Sequence, residues 1–96
     1  LAFIRMDGAF HMSLETSLRK ARTAACYREP SGGLLEGVDI KLALGTDGQR
    51  INLPGGLPII IDGHCIGGVG VGSGTGEQDL EVAAAAIAAI PDSQTF

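Results

Sequence analysis

Two apolar runs in the second half of the chain predict a β-hairpin. The run "LPIII" at 57–61 is followed by Asp62-Gly63 and then by "HCIGGVGVG" at 64–72. An Asp-Gly pair between two apolar segments is a strong signal for a two-residue hairpin turn. Pro58 fits this interpretation because a residue without an N–H is tolerated near the start of a strand.

Apolar residues at helical spacing predict one helix before this hairpin and one after it. The first helix is expected to begin at Ser13, a favourable N-cap residue, and to run to about Tyr27. The second is expected to open at Thr75, with Gln78 three residues later completing a capping box, and to stop before Pro91.

The last predicted helix is apolar on almost every side. One face carries Leu80, Ala83, Ala84, Ile87 and Ile90, and the opposite face is rich in alanine. A helix that is apolar all round is covered on two sides. The sheet would cover one side, and a second copy of the chain is predicted to cover the other, so we expect a homo-oligomer.

The remaining segments have less regular patterns. "LAFIRM" at 1–6 predicts a short strand, with Asp7-Gly8 as the turn behind it. "VDIKLAL" at 38–44 alternates well enough for another strand, although a long, partly ordered loop fits the region 34–54 almost as well. Residues 1–96 are therefore predicted to form one α+β domain, an antiparallel sheet with packed helices.

Charge and hydropathy argue against two classes of partner. The formal net charge is −4, which does not favour nucleic acid. No apolar run approaches the ~18 residues of a membrane span. The basic run Arg19-Lys20-Arg22, with Arg28, is predicted to be a solvated helix face, in which Glu15 and Arg19 form an i,i+4 pair, and an anion site is the less favoured alternative.

The two cysteines predict a reducing compartment such as the cytoplasm. Cys26 and Cys65 show neither C-x-x-C spacing nor the density of a disulfide scaffold. We therefore expect both to be free thiols and small buried hydrophobic residues.

The glycine-rich stretch 62–79 does not fit a phosphate-binding loop. It lacks the glycine spacing of a dinucleotide fingerprint and the Gly-Lys-Ser/Thr ending of a P-loop. Glycines at 68, 70 and 72 alternate and would leave one face of a strand bare. Such a face admits either a closely packed backbone or a flat ligand, and the two alternatives are compatible.

Four motifs together resemble the GlcG/HbpS-like family. They are "RMDGA" at 5–9, "KARTAA" at 20–25, "GGLPI" at 55–59 and "DGHCIGGVGVGSGTGEQD" at 62–79. The family includes haem-binding proteins and the C-terminal domain of PduO-type corrinoid adenosyltransferases. It has also been labelled haem-degrading. The resemblance implies a profilin-like or PAS-like sandwich, homo-oligomers and, in several members, haem. It also implies that this chain lacks the family's N-terminal helix and first strand, since it begins inside the strand that contains "LAFIRM".

Three residues are candidates for contact with such a cofactor. His11 has the imidazole that most often ligates haem iron, but a surface histidine near a turn is the alternative. Arg5 is predicted either to hold a haem propionate or to pair with Asp7 or Asp79. His64 is a weaker candidate because its place beside the hairpin turn predicts solvation.

Enzyme signatures are poor, since no nucleophile elbow, metal quartet or carboxylate cluster is present. The first functional hypothesis is a small oligomeric module that binds haem or a related tetrapyrrole as a sensor, carrier or accessory domain. The alternatives are an enzyme or accessory subunit acting on a small metabolite in a catabolic or cobalamin-linked pathway, and a purely structural assembly domain.

Overall fold

A computed structural model describes residues 2–96, and within them the fold is α+β. Three helices and two strands follow one another along the chain: α1 (Ser13–Tyr27), α2 (Val38–Gly45), β1 (Gly56–Ile61), β2 (His64–Gly70) and α3 (Gly76–Ala88). None of these helices has the length and apolar character needed to cross a bilayer.

The predicted hairpin is confirmed. β1 and β2 pair antiparallel, with Leu57 opposite Val69. The turn residues Asp62 and Gly63 have φ values of 51° and 76°, and two positive φ values are what a tight two-residue hairpin turn requires. The register shifts after Ile59, and Ile66 is left without a partner and 64% exposed.

The bare face of the hairpin packs against α1. A Cβ added at Gly68 would strike the backbone carbonyl of Ala21, and one added at Gly70 would strike that of Ser17. Glycine at these positions therefore lets helix and strand backbones approach directly. This arrangement confirms close packing as the role of the alternating glycines, and α1 covers the face that a flat ligand would have needed.

The opposite face of the hairpin packs against α3. Leu57, Ala83 and Ile87 are fully buried there. Thr75 caps α3 by accepting a hydrogen bond from the Gln78 N–H, and the Gln78 side chain accepts one from the Thr75 N–H, so the predicted capping box is confirmed. The sheet thus lies between α1 and α3.

Two predicted strands are wrong. The strand predicted over 1–6 is not formed by residues 2–6, because none of the described residues pairs with them, and Leu1 lies outside the described residues. Residues 38–45 form α2 instead, and its apolar side chains Val38, Ile40 and Leu44 are exposed. Alternation favours a strand only where a neighbouring strand supplies pairing and cover, and this segment has no such neighbour, so local helical hydrogen bonding prevails.

The start of α1 differs from the expected one, and the start of α2 is held by a carboxylate. Met12, not Ser13, is the N-cap of α1, and the Ser13 hydroxyl donates to the Phe10 carbonyl. At α2, the Asn52 side chain and then the Ile40 and Gly37 N–H groups hold the pKa of Asp39 below its ordinary value. Asp39 therefore anchors the first turn of α2 as a carboxylate.

Gly70→Ala should lower the free energy of unfolding by at least about 2 kcal/mol, since its Cβ would overpack against the backbone of α1. Gly45→Ala is the matched control, because Gly45 is helical and nothing lies within 4 Å of its added Cβ. That substitution should be neutral or stabilising by up to about 1 kcal/mol. Chemical denaturation measures both, and equal effects would contradict the packing role.

Candidate functional site

A groove of about 330 Å³ opens where the hairpin strands end. Its rim is apolar and is formed by Phe10, Met12, Leu53 and Pro54. Its polar lining consists of the hydroxyl groups of Ser13, Thr16 and Ser73 and the side chains of Lys20 and Asp79. The groove therefore combines apolar edges with a few polar groups, a composition typical of small-molecule sites.

A buried ion pair forms the floor of this groove. Lys20 Nζ lies 2.9 Å from Asp79 Oδ2 and donates a second hydrogen bond of 2.9 Å to the Val71 carbonyl. The Gly74 N–H donates to Asp79 Oδ1 at 2.9 Å. The two side chains are only 6% and 5% exposed. The prediction that Lys20 belongs to a solvated helix face is therefore wrong.

Glycines let the backbone close around this pair. Gly55 has φ +120°, and a Cβ there would lie 2.8 Å from both Asp79 Cβ and the Val71 carbonyl oxygen. A Cβ at Gly74 would lie 2.8 Å from Asp79 Oδ1. The glycine-rich motifs thus allow the backbone to pack closely around the Lys20–Asp79 ion pair, where a loop that binds a ligand would instead enclose that ligand.

The N-terminal segment, residues 2–12, borders the groove through Phe10 and Met12. The Phe10 N–H donates to Ser73 Oγ at 2.9 Å, which ties this segment to the loop after β2. His11 is exposed and lies between Phe10 and Met12, whose side chains are 72% and 65% exposed. His11 is therefore accessible and has exposed apolar neighbours on both sides in the sequence, but it does not itself line the groove.

Arg5 lies on the same segment and is exposed. Its Nη2 donates a long hydrogen bond of 3.4 Å to the Ala9 carbonyl. Among the described residues, neither Asp7 nor Asp79 lies within ion-pair distance of it. The predicted pairing with these carboxylates is wrong, because Lys20 already occupies Asp79.

His64 lies at the other end of the hairpin. It is the first residue of β2 and is exposed, whereas Ser73, which holds Phe10, follows the last residue of β2. Since β2 spans roughly 20 Å, His64 and His11 do not share one site. The structure brings Arg5 and His11 onto one segment and leaves His64 apart from them.

The cysteines are free thiols, as predicted, but they are less buried than expected. Cys65 is partly buried, and its Sγ donates to the Ala25 carbonyl of α1 at 3.4 Å. Cys26 is exposed. In the part of the chain that the structure describes, no group of three or more His, Cys, Asp or Glu side chains is arranged to hold a metal ion.

Sequence reasoning missed the Lys20–Asp79 pair. It assigned Lys20 to the solvated face of α1, whereas the buried residues of this helix are Lys20, Thr23 and Ala24. A usable signal was that Lys20 lies one helical turn before Ala24, on the same face. The buried lysine then required a carboxylate, and Asp79 is the acidic residue that meets it.

Asp79→Asn should lower the free energy of unfolding by about 3–5 kcal/mol, because it leaves the Lys20 ammonium buried without a counter-charge. Glu15→Gln is the matched control, since it breaks the exposed pair with Arg19 (3.6 Å) and should cost less than about 0.5 kcal/mol. Denaturant titration compares the two. If both variants lost the same small amount of unfolding free energy, the Lys20–Asp79 pair would not be important for stability.

Comparison with known proteins places this geometry in a family. Residues 1–88 match the family model described as haem degrading protein HbpS-like. A 15.0 kDa protein of Citrobacter freundii, from the dhaT-dhaS intergenic region, is 43% identical over 88 residues, which are 86% of this chain and 62% of that protein. Protein GlcG of Escherichia coli K12 is 42% identical over 72 residues, covering 74% of this chain and 54% of GlcG. The chain thus spans little more than half the length of these relatives.

A solved structure shares both the fold and the sequence pattern. The crystal structure of the PduOC haem complex superimposes with a TM-score of 0.86 at 33% identity, over 97% of this chain and 70% of that one. The resemblance drawn from the four sequence motifs is therefore confirmed, and the chain belongs to the HbpS-like family.

Proposed function

We propose that this chain is a binding module for haem or a related tetrapyrrole. The observation that carries the proposal is the likeness to the PduOC haem complex, at 33% identity over nearly the whole chain. The match of residues 1–88 to a family described as haem degrading supports the same ligand class. The proposed activity is ligand binding, and the domain would act as a sensor, carrier or accessory unit.

The N-terminal segment has side chains that fit a haem. A porphyrin face is flat and apolar, and Phe3, Met6, Phe10 and Met12 are between 56% and 77% exposed on this segment. His11, exposed among them, would supply an axial nitrogen to the iron. The iron would contribute ligand exchange and redox chemistry, whereas the residues of this chain bind and orient the group.

Arg5 would hold an anionic edge of the same ligand. Its only described hydrogen bond runs to the Ala9 carbonyl at 3.4 Å, near the limit of such contacts, so exchanging it costs little. A guanidinium binds a carboxylate through two parallel hydrogen bonds. We therefore assign Arg5 to a propionate and His11 to the iron, while His64, at the far end of β2, takes no part.

A hemin titration followed by Soret absorbance tests this assignment. The full-length protein should bind hemin saturably at a fixed ratio per subunit, more tightly than about micromolar. His11→Ala should change the Soret position, because the axial ligand is lost. It should also weaken hemin binding at least tenfold, to roughly the level of unspecific uptake. Arg5→Ala should weaken binding by about three- to tenfold and leave the Soret position unchanged.

His64→Ala is the matched control, because it removes the other exposed histidine without touching the N-terminal segment. It should leave both the affinity and the spectrum unchanged. Unsaturable uptake by the unaltered protein, or equal effects of the two histidine variants, would overturn the proposal. A small-metabolite enzyme or an assembly role would then be the better hypothesis.

We also propose that the outer face of α3 forms a homo-oligomer interface. Val82 is 56% exposed, and the alanines at 85, 86 and 89 on the same face of α3 are exposed as well. A contiguous apolar patch of this kind marks an association surface. The free thiols are compatible with the cytoplasm as the compartment in which the assembly works.

Val82→Asp should weaken self-association at least tenfold, because it places an unpaired carboxylate in the apolar contact. Glu81→Gln is the control on the same helix and should leave association unchanged. Sedimentation equilibrium of the full-length protein measures both. A monomer at all concentrations, or an association that Val82→Asp does not alter, would contradict this interface.

A further inference from the structure

A second cavity lies on another side of α1, apart from the groove and from His11. It has a volume of about 410 Å³ and is bounded by the C-terminal half of α1 and the segment 46–50 that follows α2. It shares no lining residue with the Lys20–Asp79 groove. We refer to it as the arginine cleft, because Arg22 and Arg50 both line its largely apolar interior.

Arg50 is a nearly buried cation whose one carboxylate partner among the described residues is the exposed Glu29. Its guanidinium stacks on Tyr27, 3.4 Å from the ring centroid, and its side chain is only 13% exposed. The nearest carboxylate is that of Glu29 at 3.6 Å, whereas charge-assisted hydrogen bonds measure about 2.7–2.9 Å. Arg50 Nε is buried and has no hydrogen-bond acceptor among the described residues.

Arg22 adds a second positive charge to the same cleft. Its Nη1 donates to the neutral amide oxygen of Gln49 at 3.2 Å. No carboxylate lies within 4.0 Å of it in the described part of the chain. The lining of the cleft contains two arginines and no acidic residue. The lining is therefore positive, with Glu29 beside Arg50 as the one nearby carboxylate, although the whole chain carries a net charge of −4.

Two threonines hold the walls of the cleft in place. Thr46 Oγ1 donates to the Leu42 carbonyl at 2.7 Å and accepts from the Arg50 N–H at 3.0 Å. Thr23 Oγ1 donates to the Gln49 carbonyl and accepts from the Ile51 N–H, both at 3.1 Å. The backbone that carries Arg50 is thus fixed to α1 before any ligand arrives, which lowers the entropy cost of binding.

These observations define the chemistry of an occupant. Arg22 has no carboxylate within 4.0 Å in the described part of the chain, and Arg50 has only the exposed Glu29 at 3.6 Å. Two such guanidinium groups favour a further anion, and the planar fork of arginine matches a carboxylate. The largely apolar interior favours an apolar body behind that charge, which inorganic phosphate would not supply. We propose that the arginine cleft binds a small organic carboxylate, with its anionic group at Arg22 and Arg50 and a short apolar body in the cavity.

A titration with butyrate, followed by amide chemical shifts of the full-length protein, tests the proposal. Butyrate should shift the amide signals of residues 46–50 saturably, and the neutral isostere butyramide should not. Arg22→Ala should weaken butyrate binding at least about tenfold, because it removes one of the two cationic groups. Arg22 is exposed, so this variant is expected to fold, and its thermal transition verifies that.

Lys41→Ala is the matched control, since it removes an exposed positive charge that does not line the cleft. Its butyrate affinity should equal that of the unaltered protein. Equal shifts with butyramide, stronger binding of inorganic phosphate than of butyrate, or an unchanged affinity in Arg22→Ala would overturn the proposal. Because neither arginine touches the N-terminal segment, hemin binding and butyrate binding fail or succeed separately.

Discussion

The buried ion pair between Lys20 and Asp79 joins α1 directly to α3, the two helices that pack on opposite faces of the hairpin. Lys20 comes from the middle of α1, Asp79 from the first turn of α3, and the Val71 carbonyl that accepts from Lys20 follows β2. Asp79 in turn accepts from the Gly74 N–H in the loop before α3. This one pair therefore fixes both helices to the open end of the hairpin. Gly55 and Gly74 lie at positions where a side chain would push Asp79 away from Lys20.

The fold depends on this pair because its hydrophobic core is small. Among the described residues, the fully buried apolar side chains are those of Ala24, Leu57, Pro58, Ala83 and Ile87, and alanine buries little surface. Taking two charges out of water is costly unless their remaining hydrogen-bonding groups are satisfied. Here the carbonyl of Val71 and the N–H of Gly74 satisfy them. A pair of this kind specifies one arrangement of the layers, whereas a few alanines would allow several.

The sequence predicted best where structure is determined locally. The Asp62-Gly63 turn and the Thr75–Gln78 capping box are decided by a few adjacent residues, and both are confirmed. The wrong strand at 38–44 and the solvated Lys20 have a different origin. Whether an alternating segment becomes a strand depends on a pairing partner, and whether a lysine is buried depends on a carboxylate 59 residues away. Neither partner is visible in the local pattern, although the family motifs contained both Lys20 and Asp79.

The same helix supplies a wall to both candidate sites, and its geometry keeps them apart. Successive residues of a helix are turned by about 100°, so Lys20 faces the groove while Arg22 and Cys26 face the arginine cleft. Between the two sites, α1 is pressed backbone to backbone against the glycine face of β2. Close-packed backbone has little freedom to rotate. A ligand in one site thus has no deformable element through which to disturb the other, so the two proposed binding activities should be additive and uncoupled.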